Sequence, residues 1–172
     1  MILDLSQFES FPAKVLLQAK PEALVIDYDS VVRVNSADLD LSIQKSAEEF
    51  YCQGSARASV RLICARCLEE FDLELANTTD FIVCSRQWHD THGDVKDNED
   101  YVFFQGSELH ADVTDVVRQM IIISMEMKPL CSQDCRGLCA TCGANLNEVS
   151  CRCRRERTDG RWEALKKLSG LT

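Results

Sequence analysis

Hydrophobic and polar residues alternate along much of the first half of the chain. The alternation is clearest at Leu39, Leu41 and Ile43, and it returns within residues 59–63 and 71–75. Shorter apolar runs occupy residues 15–17 and 81–83. Because successive side chains of a strand point to opposite faces, this pattern predicts antiparallel strands with one face in water. Residues 1–85 are therefore predicted to form mostly strands.

The pattern changes after residue 85. Residues 86–100 are polar and acidic, which is typical of a surface loop. Apolar residues then recur at helical spacing and predict a helix over residues 112–127, with Asp112 as N-cap and Pro129 beyond its end. A second, short helix is predicted to begin at Arg161. The longest apolar run, within the first of these helices, is far too short to span a membrane.

Eight of the ten cysteines occur in closely spaced groups, and the Cys-x2-Cys spacing brings two thiolates within reach of one tetrahedral zinc ion. The first residues of the chain carry no basic and apolar leader, which favours a cytoplasmic protein whose paired cysteines bind metal rather than form disulfides. The other two, Cys52 and Cys84, lie in predicted strands and are expected to be small buried hydrophobic residues. The predicted metal ligands are Cys64, Cys67, Cys131, Cys135, Cys139, Cys142, Cys151 and Cys153.

The eight thiols can be divided in two ways. In the first division, Cys64 and Cys67 join Cys131 and Cys135 in one site, and the remaining four form a second site. That second set has the spacing Cys-x2-Cys-x8-Cys-x-Cys, and Gly143 follows its first pair, where glycine adopts a left-handed turn at low cost. In the other division, the six C-terminal thiols share one metal and the upstream pair is structural.

Other chemistries of these cysteines were weighed against zinc. The spacing Cys135-x3-Cys139-x2-Cys142 matches that of radical S-adenosylmethionine enzymes, but only 30 residues follow Cys142, too few for their barrel. An iron–sulfur cluster on four cysteines stays open as an alternative. His89 and His92 lie in the acidic loop without a nearby cysteine and are not predicted to be ligands. Because all-cysteine zinc sites are usually structural, we predict structural zinc and no catalytic residue.

The elements and the cysteines together predict the α+β class. The expected architecture is an antiparallel β body with one main helix, followed by a C-terminal cysteine-rich metal-binding segment. The body is assigned to residues 1–127, with the acidic loop 86–100 and the helix 112–127. The cysteine-rich, basic segment is assigned to residues 128–172.

Charge is distributed unevenly along the chain, whose net charge is −9. Residues 1–127 contain 10 Lys and Arg against 23 Asp and Glu, whereas residues 128–172 contain 9 against 5. The acidic body argues against a general nucleic-acid-binding surface and suits a basic protein partner, such as a ribosomal protein. The basic residues of the C-terminal segment either offset the negative charge of thiolate sites or contact RNA. The candidates for RNA contact are Arg152, Arg154, Arg155, Arg157, Arg161 and Trp162.

Motifs spread over residues 55–170 are specific enough to compare with known families. The segments that carry the comparison are Cys64-Ala-Arg-Cys67-Leu68-Glu69, Lys128-Pro129-Leu130-Cys131, Asp134-Cys135-Arg136-Gly137-Leu138-Cys139, Cys142-Gly143-Ala144-Asn145-Leu146-Asn147, the Cys151-x-Cys153 pair, and Asp159-Gly160-Arg161-Trp162-Glu163-Ala164-Leu165. Together they resemble the YceD family, the large ribosomal RNA subunit accumulation protein family. The central run, residues 134–147, is the most specific part.

The resemblance implies a bacterial or organellar cytoplasmic factor, a non-enzymatic ribosome biogenesis protein that supports synthesis, processing or stability of 23S rRNA. Its expected partners are 23S rRNA or its precursor, a ribosomal protein, or both, with no membrane and no small-molecule substrate. The alternatives are an RNA-maturation enzyme and a zinc-dependent regulator that binds nucleic acid. Against an enzyme stands the lack of a carboxylate or histidine constellation with catalytic spacing.

Overall fold

The computed structural model describes residues 1–92, 100–104 and 109–153. They divide into two compact units. The first comprises Met1–Ala65 and Glu69–Cys131. The second comprises Arg66–Leu68 and, within Ser132–Thr172, the described residues that end at Cys153. The expected helix beginning at Arg161 lies outside the described residues.

Within its described residues, the first unit contains a seven-stranded sheet, two α-helices and one turn of 3-10 helix. Along the sheet the strands follow the order β1-β7-β6-β5-β4-β3-β2, and the long strands β3, β4 and β5 form successive antiparallel hairpins. In chain order the elements are β1 (Ile2–Asp4), β2 (Ala13–Ala19), the 3-10 turn (Pro21–Ala23), β3 (Val31–Ser46), β4 (Glu49–Ile63), β5 (Glu70–Ser85), α1 (Arg86–His92), β6 (Tyr101–Phe104), β7 (His110–Asp112) and α2 (Thr114–Ser124).

The core of this unit is the apolar face of the sheet, packed against α2. Leu39, Leu41 and Ile43 of β3 are fully buried, as the alternation predicts, and the polar residues between them are more exposed. From α2, Val117 and Ile121 are also fully buried. Burying an aliphatic side chain of this size contributes about 1.5–3 kcal/mol, so this face fixes which side of each strand points inward.

The expectation of a wholly antiparallel sheet is wrong in one place. Strand β6 pairs with β5 in parallel, with Ile82 opposite Tyr101 and Ser85 opposite Phe104. A parallel pair needs a crossover connection, and residues 86–100 provide it. These residues are not only a loop as predicted, because helix α1 begins directly after β5. The side chain of His89 in α1 is buried, with its ring centroid 4.7 Å from that of Tyr101.

The main helix is shorter than the predicted range 112–127. Asp112 ends strand β7, where it pairs with Ile2, and α2 begins at Thr114. Asp112 is therefore not the N-cap, although its carboxylate accepts a hydrogen bond from the Thr114 amide at 2.9 Å. At the other end, Met125 is in an extended conformation and ends the helix before Pro129 is reached.

Turns and loops form the described part of the second unit. The backbone of Leu138 forms a single antiparallel bridge with Asn145. Gly137 and Gly143 have φ values of 71° and 72°, in the left-handed region that glycine adopts readily. This confirms the conformation expected at Gly143. The buried hydrophobic residues of this described part are Cys67 and Cys135, so its local fold depends on backbone hydrogen bonds and on its cysteines.

Candidate metal centres

The structure places the eight predicted ligands in two groups of four. Within each group the Sγ atoms all lie within 4.8 Å of one another, so each group can hold a metal ion. The grouping is the same as in the first division drawn from the sequence. One group is Cys64, Cys67, Cys131 and Cys135, and the other is Cys139, Cys142, Cys151 and Cys153.

The connection between β4 and β5 presents the first Cys-x2-Cys pair. The amide of Cys64 donates to the carbonyl oxygen of Glu69 at 2.9 Å, which closes the turn at the end of the hairpin. The amide of Ala65 donates to the carbonyl oxygen of Pro129 at 2.8 Å, so the chain leading to Cys131 runs beside this turn. Cys64 and Cys67 therefore lie in the connection between two strands. Both side chains are buried.

The two Cys-x2-Cys pairs share a backbone feature. Leu68 directly follows Cys67 and has φ 62°, and Gly143 directly follows Cys142 and has φ 72°. A left-handed residue at this position turns the chain away from the two sulfurs. For leucine that conformation costs roughly 1–2 kcal/mol relative to its preferred regions. Nothing in the sequence at Leu68 predicts a left-handed turn.

Cys135 is held by polar groups of the second unit. The Arg66 guanidinium donates to the carbonyl oxygen of Cys135 at 3.1 Å, and the Asn147 side-chain amide donates to the Cys135 sulfur at 3.4 Å. The Asn147 carbonyl oxygen in turn accepts from the Arg136 amide at 2.8 Å. Amide donors of this kind orient a sulfur ligand and stabilise its negative charge. The sequence reasoning missed both Arg66 and Asn147, since neither is a ligand.

The second group lies in the turns of residues 139–153. The Cys139 amide donates to the Ala144 carbonyl oxygen at 2.8 Å, and the Gly143 amide donates to the Cys139 carbonyl oxygen at 2.9 Å. The Cys151 and Cys139 sulfurs are 3.3 Å apart. Cys142 and Cys153 are exposed, whereas Cys139 and Cys151 are half-buried.

Electrostatics within the second group favour a bound cation. The backbone amides of Cys142 and Thr141 donate to the Cys139 sulfur and lower its pKa to about 6. The hydrogen bond with the Cys142 sulfur and the negative charge of that sulfur raise the pKa of Cys153 to about 12. Four thiolates this close repel one another, so they do not all ionise unless a cation offsets their charge.

The geometry suits a single tetrahedral ion. Zinc–sulfur bonds of about 2.3 Å place the four sulfurs of a tetrahedral site about 3.8 Å apart, which agrees with separations below 4.8 Å. A cluster of two or four irons spreads its cysteine ligands around several metal centres, and hence further apart. Four sulfur ligands leave no open position for substrate, so such a site organises structure rather than performing catalysis.

The predicted RNA-contact residues are only partly covered by the structure. Arg152 lies between two of the clustered cysteines and is exposed. Arg154, Arg155, Arg157, Arg161 and Trp162 lie outside the described residues. In the described part of the chain, no helix has the length and hydrophobicity needed to cross a membrane.

Comparison with known proteins identifies the family. The sequence profile of "Large ribosomal RNA subunit accumulation protein YceD" matches residues 52–169. This region contains all eight clustered cysteines. The chain therefore belongs to the YceD family, as its motifs indicate. No solved structure matches the chain.

Named and unnamed relatives match different extents of the chain. A maize protein described as "Large ribosomal RNA subunit accumulation protein YCED homolog 1, chloroplastic" is 35% identical over 65 residues, which cover 37% of this chain and 22% of the maize protein. Its Arabidopsis thaliana counterpart is 33% identical over 63 residues, covering 37% of this chain and 20% of that protein. The chain thus spans about a fifth of the length of these plant relatives. An uncharacterised protein of Mycobacterium tuberculosis is 28% identical over 161 residues, covering 92% of this chain and 70% of the relative.

Proposed function

We propose that this protein is a non-enzymatic ribosome biogenesis factor of the cytoplasm, which supports the synthesis, processing or stability of 23S rRNA. The observation that carries the proposal is membership of the YceD family over residues 52–169. The plant relatives are named for accumulation of the large-subunit RNA, and the region that matches the family profile includes all eight clustered cysteines.

Each group of four cysteines is proposed to hold one structural zinc ion. The sulfur separations and the all-thiol donor set support zinc, because zinc prefers tetrahedral sulfur coordination and needs no other ligand. The second unit gains most from a metal, since its described part consists of turns with few buried apolar residues. Metal binding would supply much of the free energy that holds such a unit folded.

A binding role fits the chemistry of these sites better than an enzymatic one. Fully coordinated zinc can neither activate water nor polarise a substrate. An RNA-maturation enzyme is the second candidate for function, and a zinc-dependent nucleic-acid-binding regulator is the third. The family name describes accumulation of RNA, which favours neither of these alternatives.

Contact with RNA is assigned to the basic segment, residues 128–172. Its proposed contacts are the arginines around Cys151 and Cys153, of which Arg152 is exposed. Counterion release makes the slope of log affinity against log salt about −0.7 per phosphate contact on single strands. Replacing Arg152, Arg154, Arg155 and Arg157 with glutamine should weaken binding to 23S fragments and flatten this slope by roughly 2–3 units. Equal binding by the variant and the parent would mean that these arginines are a solvated face.

The function is tested by deleting the gene and measuring the ratio of 23S to 16S rRNA, together with the sedimentation profile of ribosomal particles. We expect less 23S rRNA and fewer mature large subunits, both restored by the parent protein. Normal 23S levels in the deletion strain would contradict the proposal. An assay of the purified, zinc-loaded protein on precursor 23S rRNA separates the candidates, since specific cleavage would indicate an enzyme.

A further inference from the structure

Helix α2 and the residues that follow it present an apolar ridge to solvent. Ile122 is 43% exposed, Ile123 is 76% exposed and Met127 is 88% exposed. Single exposed apolar residues are common, but three large ones within six positions are a concentration of apolar side chains that a partner could cover. We call Ile122, Ile123 and Met127 the α2 ridge.

Carboxylates lie beside Ile123 and beside Met127. A groove of about 220 Å³ between α2 and β5 is lined by Ile123 together with Asp80 and Asp100. A second depression, of about 480 Å³, is lined by Met127 together with Asp27 and Asp29. None of the described residues that line either depression is a lysine or an arginine.

The surrounding cations do not neutralise this acidic surface. Arg118 is the cation of α2, and its guanidinium is bound to the Asp115 carboxylate and to the Val25 carbonyl oxygen, the latter at 3.2 Å. Lys128, which follows Met127, is exposed, but so is Glu126, which precedes Met127. The α2 ridge therefore combines exposed aliphatic side chains with an excess of negative charge.

We propose that the α2 ridge binds a segment of a basic protein. Apolar side chains of that segment would cover Ile123 and Met127, and its lysines or arginines would reach the aspartates of the two depressions. The proposal rests on the proposed function, because a factor that supports 23S rRNA would meet the basic proteins that assemble on that RNA.

Charge favours a basic protein segment over the two other possible occupants of the α2 ridge, which are RNA and a second copy of the chain. RNA is disfavoured because its phosphates would face the same four aspartates. A second copy of the chain is disfavoured because a twofold interface would bring like charges together. A basic segment meets opposite charge beside both Ile123 and Met127, which steers association and fixes its register.

The test uses the full-length, zinc-loaded protein and the proteins extracted from purified large ribosomal subunits after removal of rRNA. Retained proteins are identified, purified and titrated individually. The ridge variant is Ile123→Glu with Met127→Glu. Its control is Leu16→Glu, because Leu16 is also exposed (61%) and lies opposite Asp40 on the outer face of the sheet. The charge variant is Asp27→Asn with Asp29→Asn, and its control is Asp38→Asn with Asp40→Asn on the outer face of β3.

We expect at least one basic large-subunit protein to bind the parent and both controls. The ridge variant should bind it roughly tenfold more weakly or worse, as when a buried apolar anchor is lost. The charge variant should bind more weakly and with less dependence on salt. If the glutamate variant loses its zinc or its circular dichroism signal, Ile123→Ala with Met127→Ala replaces it.

Three results would overturn the proposal: no large-subunit protein binds the parent, the ridge and control variants bind equally, or the ridge variants change only RNA binding or self-association. Complementation of the deletion strain distinguishes failure of the ridge proposal from failure of the proposed function. If the ridge variants restore 23S rRNA in the deletion strain as fully as the parent, the ridge proposal fails while the biogenesis role stands. If deletion leaves 23S rRNA unchanged, the biogenesis role fails whatever the ridge binds.

Discussion

The backbones of Arg66 and Gly137 approach each other so closely that a side chain at position 137 would crowd the Arg66 carbonyl oxygen. A Cβ atom built there would lie 3.0 Å from the carbonyl oxygen of Arg66, and Gly137 also has a positive φ. The same carbonyl oxygen accepts a hydrogen bond from the Leu138 amide at 3.2 Å. Both the lack of space and the positive φ therefore favour glycine at position 137, in the central run of the family motif.

Gly137→Ala should consequently disturb the second unit more than Gly143→Ala. At Gly143 a Cβ would meet nothing within 4 Å, so the substitution there carries only the left-handed penalty of about 1–2 kcal/mol. Amide hydrogen exchange at Leu138 measures the difference locally. We expect much faster exchange in Gly137→Ala and little change in Gly143→Ala. Equal effects of the two substitutions would contradict the close approach to Arg66.

The backbone leaves even less space for a side chain at Gly54, in strand β4, than at Gly137. A Cβ at this position would lie 1.8 Å from the carbonyl oxygen of Asp40 in the neighbouring strand β3. Since the obstacle is backbone, Gly54→Ala must push the two strands apart, and we expect a loss of about 3 kcal/mol or more in the free energy of unfolding. Urea unfolding checks this against Ser55→Ala, which should change stability by about 0.5 kcal/mol or less. Similar stabilities of both variants would show that β3 and β4 pair differently.

The parts of the fold that were predicted correctly are those where a local pattern reports burial. Alternation at Leu39, Leu41 and Ile43 identifies a face of β3 because each buried residue lies between polar neighbours that are more exposed. Strand β6 was missed because its four residues are all half-buried and show no alternation. The start of α2 was misplaced because Asp112 pairs with Ile2, more than 100 residues away, and this pairing overrides a local capping pattern.

The candidate metal sites could be predicted to a similar extent and for similar reasons. Cysteine spacing predicts that Cys139, Cys142, Cys151 and Cys153 can close one site, because short turns allow few arrangements. It leaves open whether Cys64 and Cys67 join the C-terminal cysteines, since that contact is not local. It does not predict Asn147, whose hydrogen bond to the Cys135 sulfur spans 12 residues and has no local signal. Nor does it predict the left-handed conformation of Leu68, since leucine rarely adopts it.

An exposed ion pair on the sheet gives a prediction about pH. The Arg61 guanidinium donates to the Asp72 carboxylate at 2.9 Å and 2.5 Å, and Asn35 donates to it at 2.8 Å. The hydrogen bond from Arg61, followed by that from Asn35, lowers the pKa of Asp72 to about 2. A lowered pKa in the folded state means that the interaction is fully present above the usual pKa of 3.8 and is lost as pH falls through about 2.

Titration of Asp72 by NMR checks this assignment. In the parent we expect a midpoint near 2, and in Arg61→Met a return towards the usual value of 3.8. Asn35→Ala should raise the midpoint by a smaller amount, because it removes the lesser of the two hydrogen-bond contributions. A midpoint unaffected by Arg61→Met would show that the pair does not persist in solution.

The division of the cysteines between two metal sites can be tested by removing one ligand from each. Protein purified under reducing conditions should contain about two zinc ions per chain. Cys67→Ser and Cys142→Ser should each lose about one of them, because removing one of four ligands forfeits much of the roughly 10–16 kcal/mol apparent binding free energy of a structural site. Cys52→Ser is the matched control, because the Cys52 thiol is buried in β4 and burial raises its pKa to about 12. The zinc content of this variant should equal that of the parent.

The alternative division predicts a different pattern of zinc loss. If the six C-terminal cysteines shared a single ion, the parent would hold one zinc, Cys142→Ser would lose it and Cys67→Ser would keep it. Stoichiometric iron with sulfide would instead indicate a cluster and contradict the proposal for both sites.

Thermal melts add a structural readout. Cys64→Ser should lower the melting temperature of the β-sheet, because Cys64 is fully buried at the end of β4, whereas Cys151→Ser should mainly loosen residues 139–153. Equal effects on the sheet would show that the eight thiols do not act as two separate sites.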